Sequence, residues 1–143
     1  MADIRIPTTG GSTTRCTRRK AGAKDSLDLD DDDRAAIRSA VEGEAEARTL
    51  ITHGTDTMVT TAEALRGIGG KVVVLTGAMQ PASIRDSDAA FNLGLAVGAA
   101  RLAAPGVYLA MSGRLFPAET VQKDRDAGVF REVDAEPPAA DRP

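Results

Sequence analysis

Residues 49–77 read TLITHGTDTMVTTAEALRGIGGKVVVLTG. Two short β-branched runs, Thr49–Thr52 and Lys71–Leu75, are followed at once by the polar, glycine-bearing segments at Gly54 and Gly77. Between them, Asp56–Ile68 carries Met58, Ala62 and Leu65 at spacings of four and three, the period of a helix with one buried face. Apolar runs without alternation suit strands covered on both faces, and a strand–helix–strand succession predicts parallel pairing with the helix as crossover. Gly106–Met111 is a third such run, ending at Gly113. Asp88–Leu102 repeats the helical pattern through Phe91, Leu95, Ala99 and Leu102, and an earlier helix near Asp31–Glu42 places Ala36, Ile37, Ala40 and Val41 on one face. A short strand at Ile4–Pro7 begins the series.

The expected fold class is therefore α/β: a parallel sheet of Rossmann-like or flavodoxin-like type with helices on both faces. A length of 143 residues fits one domain with a genuine core. With 42% apolar and only 3% aromatic residues and no Trp, that core must be built from Val, Leu, Ile and Ala. A net charge of −3 argues against an electrostatic nucleic-acid binder. One cysteine, Cys16, excludes an intrachain disulfide framework. The most apolar stretch, Leu93–Val107, is broken by Arg101, Pro105 and glycines and is too short to span a bilayer. Met1–Arg5 lacks the pattern of a secretory signal. These features predict a soluble cytoplasmic domain over residues 1–133, with a Pro/Ala/charged disordered tail at 134–143. Thr13–Ala23, with Arg15, Arg18, Arg19 and Lys20, shows neither period and is expected to be an irregular solvated loop rather than a nucleic-acid arm.

Ligands of open parallel sheets bind at the carboxyl ends of strands. Three polar clusters are expected there: Thr8-Thr9-Gly10-Gly11-Ser12, His53-Gly54-Thr55-Asp56-Thr57 and Thr76-Gly77-Ala78-Met79-Gln80-Pro81. Thr55 and Asp56 alone read as ordinary helix caps. Beside a second hydroxyl-rich turn they also supply hydroxyl nucleophiles and a carboxylate able to hold an amine, provided that a base is near. His53, the one histidine, reads more readily as structural than as that base. No P-loop or Gly-x-Gly-x-x-Gly occurs, and the acidic run Asp28–Asp33 lacks the spacing of a calcium loop and more simply charges a helix N-terminus. One histidine and one cysteine make a zinc site a poor expectation.

Taken jointly, Thr8–Ser12, Ile51–Met58 and Val74–Pro81 resemble, in order, the signature segments of the bacterial-type L-asparaginase/glutaminase family. Asp86–Leu93 and Gly106–Met111 extend the likeness, which runs from Ile4 to about Phe130 and resembles a short-chain, single-domain form. The resemblance implies hydrolysis of the side-chain amide of L-asparagine, and to varying degrees of glutamine, to the acid and ammonia. It implies no metal or cofactor, a small-molecule substrate, no membrane or nucleic-acid partner, and a homo-oligomer. Carried over by position, Ser12 stands for the first nucleophilic threonine, keeping the hydroxyl but losing the methyl that fixes its rotamer. Thr55 matches the second catalytic threonine and Lys123 the lysine that supports it. Asp56 matches the carboxylate that grips the substrate α-amino group, Ser26 the serine that binds the α-carboxylate, and the main chain around Ala78 the wall of the amide pocket. A desolvated lysine beside a threonine can act as the base, and strand-end N–H groups can stabilise an oxyanion.

Thr13–Ala23 departs from the family, which has there a flexible lid with a tyrosine and a further strand; the one tyrosine here is Tyr108. Codons compatible with Ser12–Lys20, read one base earlier, spell Asp-Asn-Lys-Val-Tyr-Ser-Thr-Lys, similar to the start of such a lid. The sheet is thus expected to lack the lid and one family strand. Two alternatives remain open: a catalytically inactive family fragment acting only through oligomer contacts, and a nucleotide-binding α/β module.

Overall fold

The structure, a computed structural model, describes residues 3–9 and 14–19 as backbone and residues 26–133 in full. Strands β1 (Asp3–Thr9) and β2 (Thr14–Arg19) lead to a short 3-10 turn (Ser26–Asp28) and helix α1 (Asp31–Gly43). Then follow β3 (Arg48–Thr52), α2 (Met58–Ala64), β4 (Val72–Thr76), α3 (Ala89–Leu102), β5 (Gly106–Met111), β6 (Arg114–Pro117), β7 (Val121–Asp124) and β8 (Val129–Glu132). The main sheet has the order β2-β1-β3-β4-β5-β6, and β7 and β8 form a separate hairpin.

The expected parallel unit is present. Leu50 pairs with Val74, and Val74 with Tyr108, in two parallel ladders joined by α2 and α3. Both faces of these strands are covered, as their continuous apolar runs require. On one face Ile51, Val73, Leu75, Leu109 and Met111 pack with Ile37 and Val41 of α1, Met58 and Ala62 of α2, and Phe116, Val121 and Phe130. On the other, Leu50, Val72, Val74 and Ala110 meet Ala96 and Ala100 of α3. The acidic run caps α1: the Asp30 carboxylate accepts from Asp33 N–H while the Asp33 carboxylate accepts from Asp30 N–H.

Four expectations need correction. The sheet is mixed, not wholly parallel, because β1 runs antiparallel to β3, with Ile4 opposite Ile51, and β6 antiparallel to β5. Thr13–Ala23 is not wholly irregular, since Thr14–Arg19 pairs with β1 throughout its length. Only residues 10–13 separate these two strands, far too short a link for a parallel crossover, so a hairpin is the pairing that the chain permits. Helix α2 is shorter than Asp56–Ile68, with Thr57 rather than Thr55 or Asp56 at its N-cap. Finally, α3 presents Asn92, Ala96 and Ala100 to the sheet, while Phe91 (64% exposed) and Leu102 (88% exposed) face away. Small side chains let the helix backbone lie close to the strands, and a helix apolar on every side gives no periodic signal of which row does so. The 134–143 tail lies outside the described residues.

Candidate active site

The carboxyl ends of β3 and β4 are held together before any functional side chain is placed. His53 N–H donates to Thr76 O at 2.8 Å, and Thr76 Oγ1 donates to Ala110 O at 2.8 Å, tying the two strand ends to β5. Gly77 lies so close to His53 O that a Cβ there would overlap the carbonyl and crowd Met58 Cε, so only glycine fits. His53 itself is buried. Its Nδ1 lies 2.7 Å from Gly54 O and must donate, which leaves Nε2 to accept from Thr61 Oγ1 at 2.9 Å. Burial holds its pKa below the ordinary histidine value, with the bond to Gly54 opposing. The imidazole is thus a neutral brace under the Gly54–Thr55 turn.

On that turn, Thr55 and Asp56 meet a residue 68 and 67 positions away. Lys123 Nζ of β7 donates to Thr55 Oγ1 at 3.0 Å and to Asp56 Oδ1 at 2.7 Å. Hydrogen bonding to Lys123 and its charge lower the Asp56 pKa. Thr55 and Lys123 are half-buried, and Asp56 is half-exposed. The hairpin β7–β8 delivers Lys123, packing Val121 and Phe130 into the core while Lys123 reaches the sheet edge.

Ser26 is buried against the same turn. A Cβ on Gly54 would overlap Ser26 Oγ, and Thr57 Oγ1 donates to Ser26 O at 2.6 Å. Ala78 follows Gly77 on the β4–α3 link, half-buried at the same edge. Four of the six candidate residues from the sequence, Thr55, Asp56, Lys123 and Ser26, are thus linked through contacts at one turn, and Ala78 lies one strand across.

Ser12 lies outside the described residues, and the expectation that its turn shares this edge meets the direction of β1. Asp3 stands opposite Thr52, so Thr9 lies six residues further along, ~20 Å from the level of Thr52. Thr9 pairs with Thr14, the two residues that flank the 10–13 link. An antiparallel β1 therefore carries its carboxyl end away from Thr55.

Two groups at this edge escaped the sequence reading. The Asp88 carboxylate accepts from Met79 N–H (3.0 Å), Gln80 N–H (3.1 Å) and Asn92 Nδ2 (2.8 Å). Asn92, fully buried, also donates to Gly77 O at 3.0 Å and accepts from Ser112 N–H at 2.9 Å. Their four-residue spacing at the start of a predicted helix was the available signal. Among the described residues no cluster of three or more His, Cys, Asp or Glu could hold a metal ion. No described helix is long and apolar enough to cross a membrane.

The family model described as Asparaginase, N-terminal matches residues 7–139. The chain belongs to the asparaginase N-terminal domain family. Its α/β fold agrees: the structure of the thermostable L-asparaginase from Thermococcus kodakarensis superposes with a TM-score of 0.70 at 32% identity, covering 78% of this chain and 36% of that one. In sequence, the L-asparaginase of Thermococcus kodakarensis is 39% identical over 83 residues, 56% of this chain and 25% of that protein. A glutamyl-tRNA(Gln) amidotransferase subunit from Methanococcus vannielii is 43% identical over 82 residues, 56% of this chain and 19% of its own length. This asparaginase-family chain thus matches a quarter or less of the length of these curated relatives.

Proposed function

We propose that the chain is an amidohydrolase of asparaginase type, cleaving the side-chain amide of L-asparagine to L-aspartate and ammonia. The observation that carries this reading is the Lys123 contact with both Thr55 and Asp56 across 68 and 67 residues of sequence. In the proposed reaction the substrate α-ammonium takes over the Asp56 carboxylate from Lys123, with Ser26 on the α-carboxylate and the Ala78 main chain on the side-chain amide. With the substrate ammonium in its place on Asp56, Lys123 gives up one proton to solvent, and the resulting amine accepts the Thr55 hydroxyl proton as Thr55 Oγ attacks the amide carbon. The proton then passes to the departing nitrogen, ammonia leaves, and water hydrolyses the resulting ester to free Thr55 and release the acid. His53 takes no proton in this scheme, in keeping with its neutral, twice-bonded ring.

Relatedness to an amidotransferase component supports a second reading, in which the same Thr55, Asp56 and Lys123 serve within a larger assembly. Steady-state ammonia release from L-asparagine and L-glutamine by the purified chain tests the first reading. Turnover of L-asparagine that Thr55→Ala removes supports it; absence of ammonia from both amides, with no binding of L-aspartate, overturns it. The homo-oligomer expected from the family belongs to the same reading and is tested by the mass of the chain in solution.

A further inference from the structure

Asp88 occupies the N-cap of α3, yet its side chain makes no capping bond. It turns back instead onto the β4–α3 link and accepts two consecutive backbone N–H groups, those of Met79 and Gln80. One turn on, Asn92 sits in the row of α3 that faces the sheet, where its successors are Ala96 and Ala100. An amide in such a position is costly to bury unless it is hydrogen-bonded. Here both of its polar atoms are engaged. Nδ2 spans from Asp88 Oδ2 to Gly77 O, and Oδ1 takes Ser112 N–H. Ser112 is the one described non-glycine residue with positive φ (51°), so the amide also fixes an unusual turn after β5. Burial opposes ionisation of Asp88, but the bonds from Met79, Gln80 and Asn92 prevail and lower its pKa, which keeps it an acceptor for all three.

The chain of contacts continues across the edge. Gly77, whose carbonyl Asn92 holds, is pressed against His53 O, and His53 braces the Gly54–Thr55 turn. From Ser112 through Asn92 and Gly77 to His53, three strand ends are locked at one spacing. Ala78 lies between Gly77 and Met79, both of which this network anchors.

We propose that Asp88 and Asn92 are positioning residues that set the Ala78 main chain at a fixed distance from Thr55, so that the site recognises the side-chain end of its amino-acid ligand. This rests on the asparaginase-type reading. Neither residue touches the ligand; both act through the backbone of residues 77–80.

The test is an amide-resolved NMR titration of the full chain with L-aspartate, the product of the proposed reaction. In the wild type, amides of Thr55 and Asp56 and those of Ala78–Gln80 are expected to shift together with one Kd. Asp88→Asn keeps the side-chain volume but removes acceptor capacity, and Asn92→Ser removes the bridge. In both, the Ala78–Gln80 response is expected to collapse while Thr55 and Asp56 still respond, with Kd raised about tenfold, the scale of one or two lost hydrogen bonds. Circular dichroism and thermal melting show each variant folded at the titration temperature, and the two changes differ enough that one folded variant suffices. A variant that is less stable but binds with wild-type Kd and wild-type shifts at Ala78–Gln80 overturns the proposal and leaves the asparaginase-type reading standing. A wild type without shifts at Thr55 and Asp56 overturns that reading, and the proposal with it.

Discussion

Thr55 and Asp56 share one cation, and this arrangement has consequences that separate side chains would not. Removing the hydroxyl with Thr55→Ala is expected to abolish nearly all ammonia release above the uncatalysed rate, with the far-UV circular dichroism unchanged because the side chain is half-buried at a turn. Lys123→Met keeps the aliphatic reach and deletes the ammonium; whatever turnover the chain has is expected to fall to background, since loss of a general base costs about 10²–10⁴-fold. The same change has a titration signature. Because Lys123 lowers the Asp56 pKa, this carboxylate contributes stability above the ordinary ~3.9 that is lost as pH falls through its lowered folded value. Carboxyl-carbon NMR is expected to place the Asp56 midpoint below ~3.9 in the wild type and nearer to it in Lys123→Met. For His53 the depressed pKa likewise means that protonation favours unfolding: stability is full above ~6.5 and falls as pH drops below it. Melting between pH 7 and 5 is expected to show that decline, and His53→Gln to flatten it. At this scale Thr55 and Asp56 are legible as a hydroxyl and a carboxylate at a strand end, while Lys123 is legible only through the resemblance to the family. Asp88 and Asn92 lie in the Asp86–Leu93 stretch that resembles the family, yet the sequence assigns neither a role, because their partners at residues 77–80 and 112 are set by tertiary contacts.

At the scale of elements, the three parallel strands and their crossovers could be read because continuous β-branched runs between amphipathic helices admit few arrangements. The phase of α3 could not. Its residues are apolar on nearly every side, and of the row Phe91–Leu95–Ala99–Leu102 only Leu95 and Ala99 pack partly against the sheet, whereas Ala96 and Ala100 are fully buried there. The close approach is decided by backbone-to-sheet distance, a tertiary quantity absent from any periodicity. Two substitutions separate the phases. Ala100→Leu is expected to destabilise by about 1–3 kcal/mol through overpacking against Val72, Val74 and Ala110. Leu102→Ser is expected to change stability by no more than ~0.5 kcal/mol. Urea midpoints at constant slope measure both, and the reverse order would return the bulky row to the core. Strands β6, β7 and β8 were also missed, being only four residues each with charged positions among the apolar ones. Yet β7 is the element that brings Lys123 to Thr55.

For the molecule as a whole, the direction of β1 bears on the proposed activity. A Thr-Gly-Gly turn at the carboxyl edge would set a second hydroxyl, that of Ser12, beside Thr55. The antiparallel pairing of β1 with β3 leaves Thr9 and Thr14 on the far side of the sheet, ~20 Å along the strand. The cause is the short link and the strand Thr14–Arg19 that follows it and pairs back on β1, where the resemblance to the family implies a lid and a further strand. Ser26, by contrast, lies against Gly54, beside Thr55 and Asp56. A lid that closes excludes water and completes a catalytic constellation, and misplacement of a reacting group by even ~1 Å can cost on the order of a hundredfold. The chain as it stands is therefore expected to hydrolyse L-asparagine feebly while still binding L-aspartate through Asp56 and Ser26. Insertion of an intact lid and strand from a family member before Lys24 is expected to turn β1 parallel to β3 and to raise turnover by a hundredfold or more on the same scale. Ammonia release by the two proteins, each shown folded by circular dichroism, measures the difference. Equal and robust rates would mean that Thr55, Asp56 and Lys123 suffice without a lid and that the hairpin leaves the chemistry untouched.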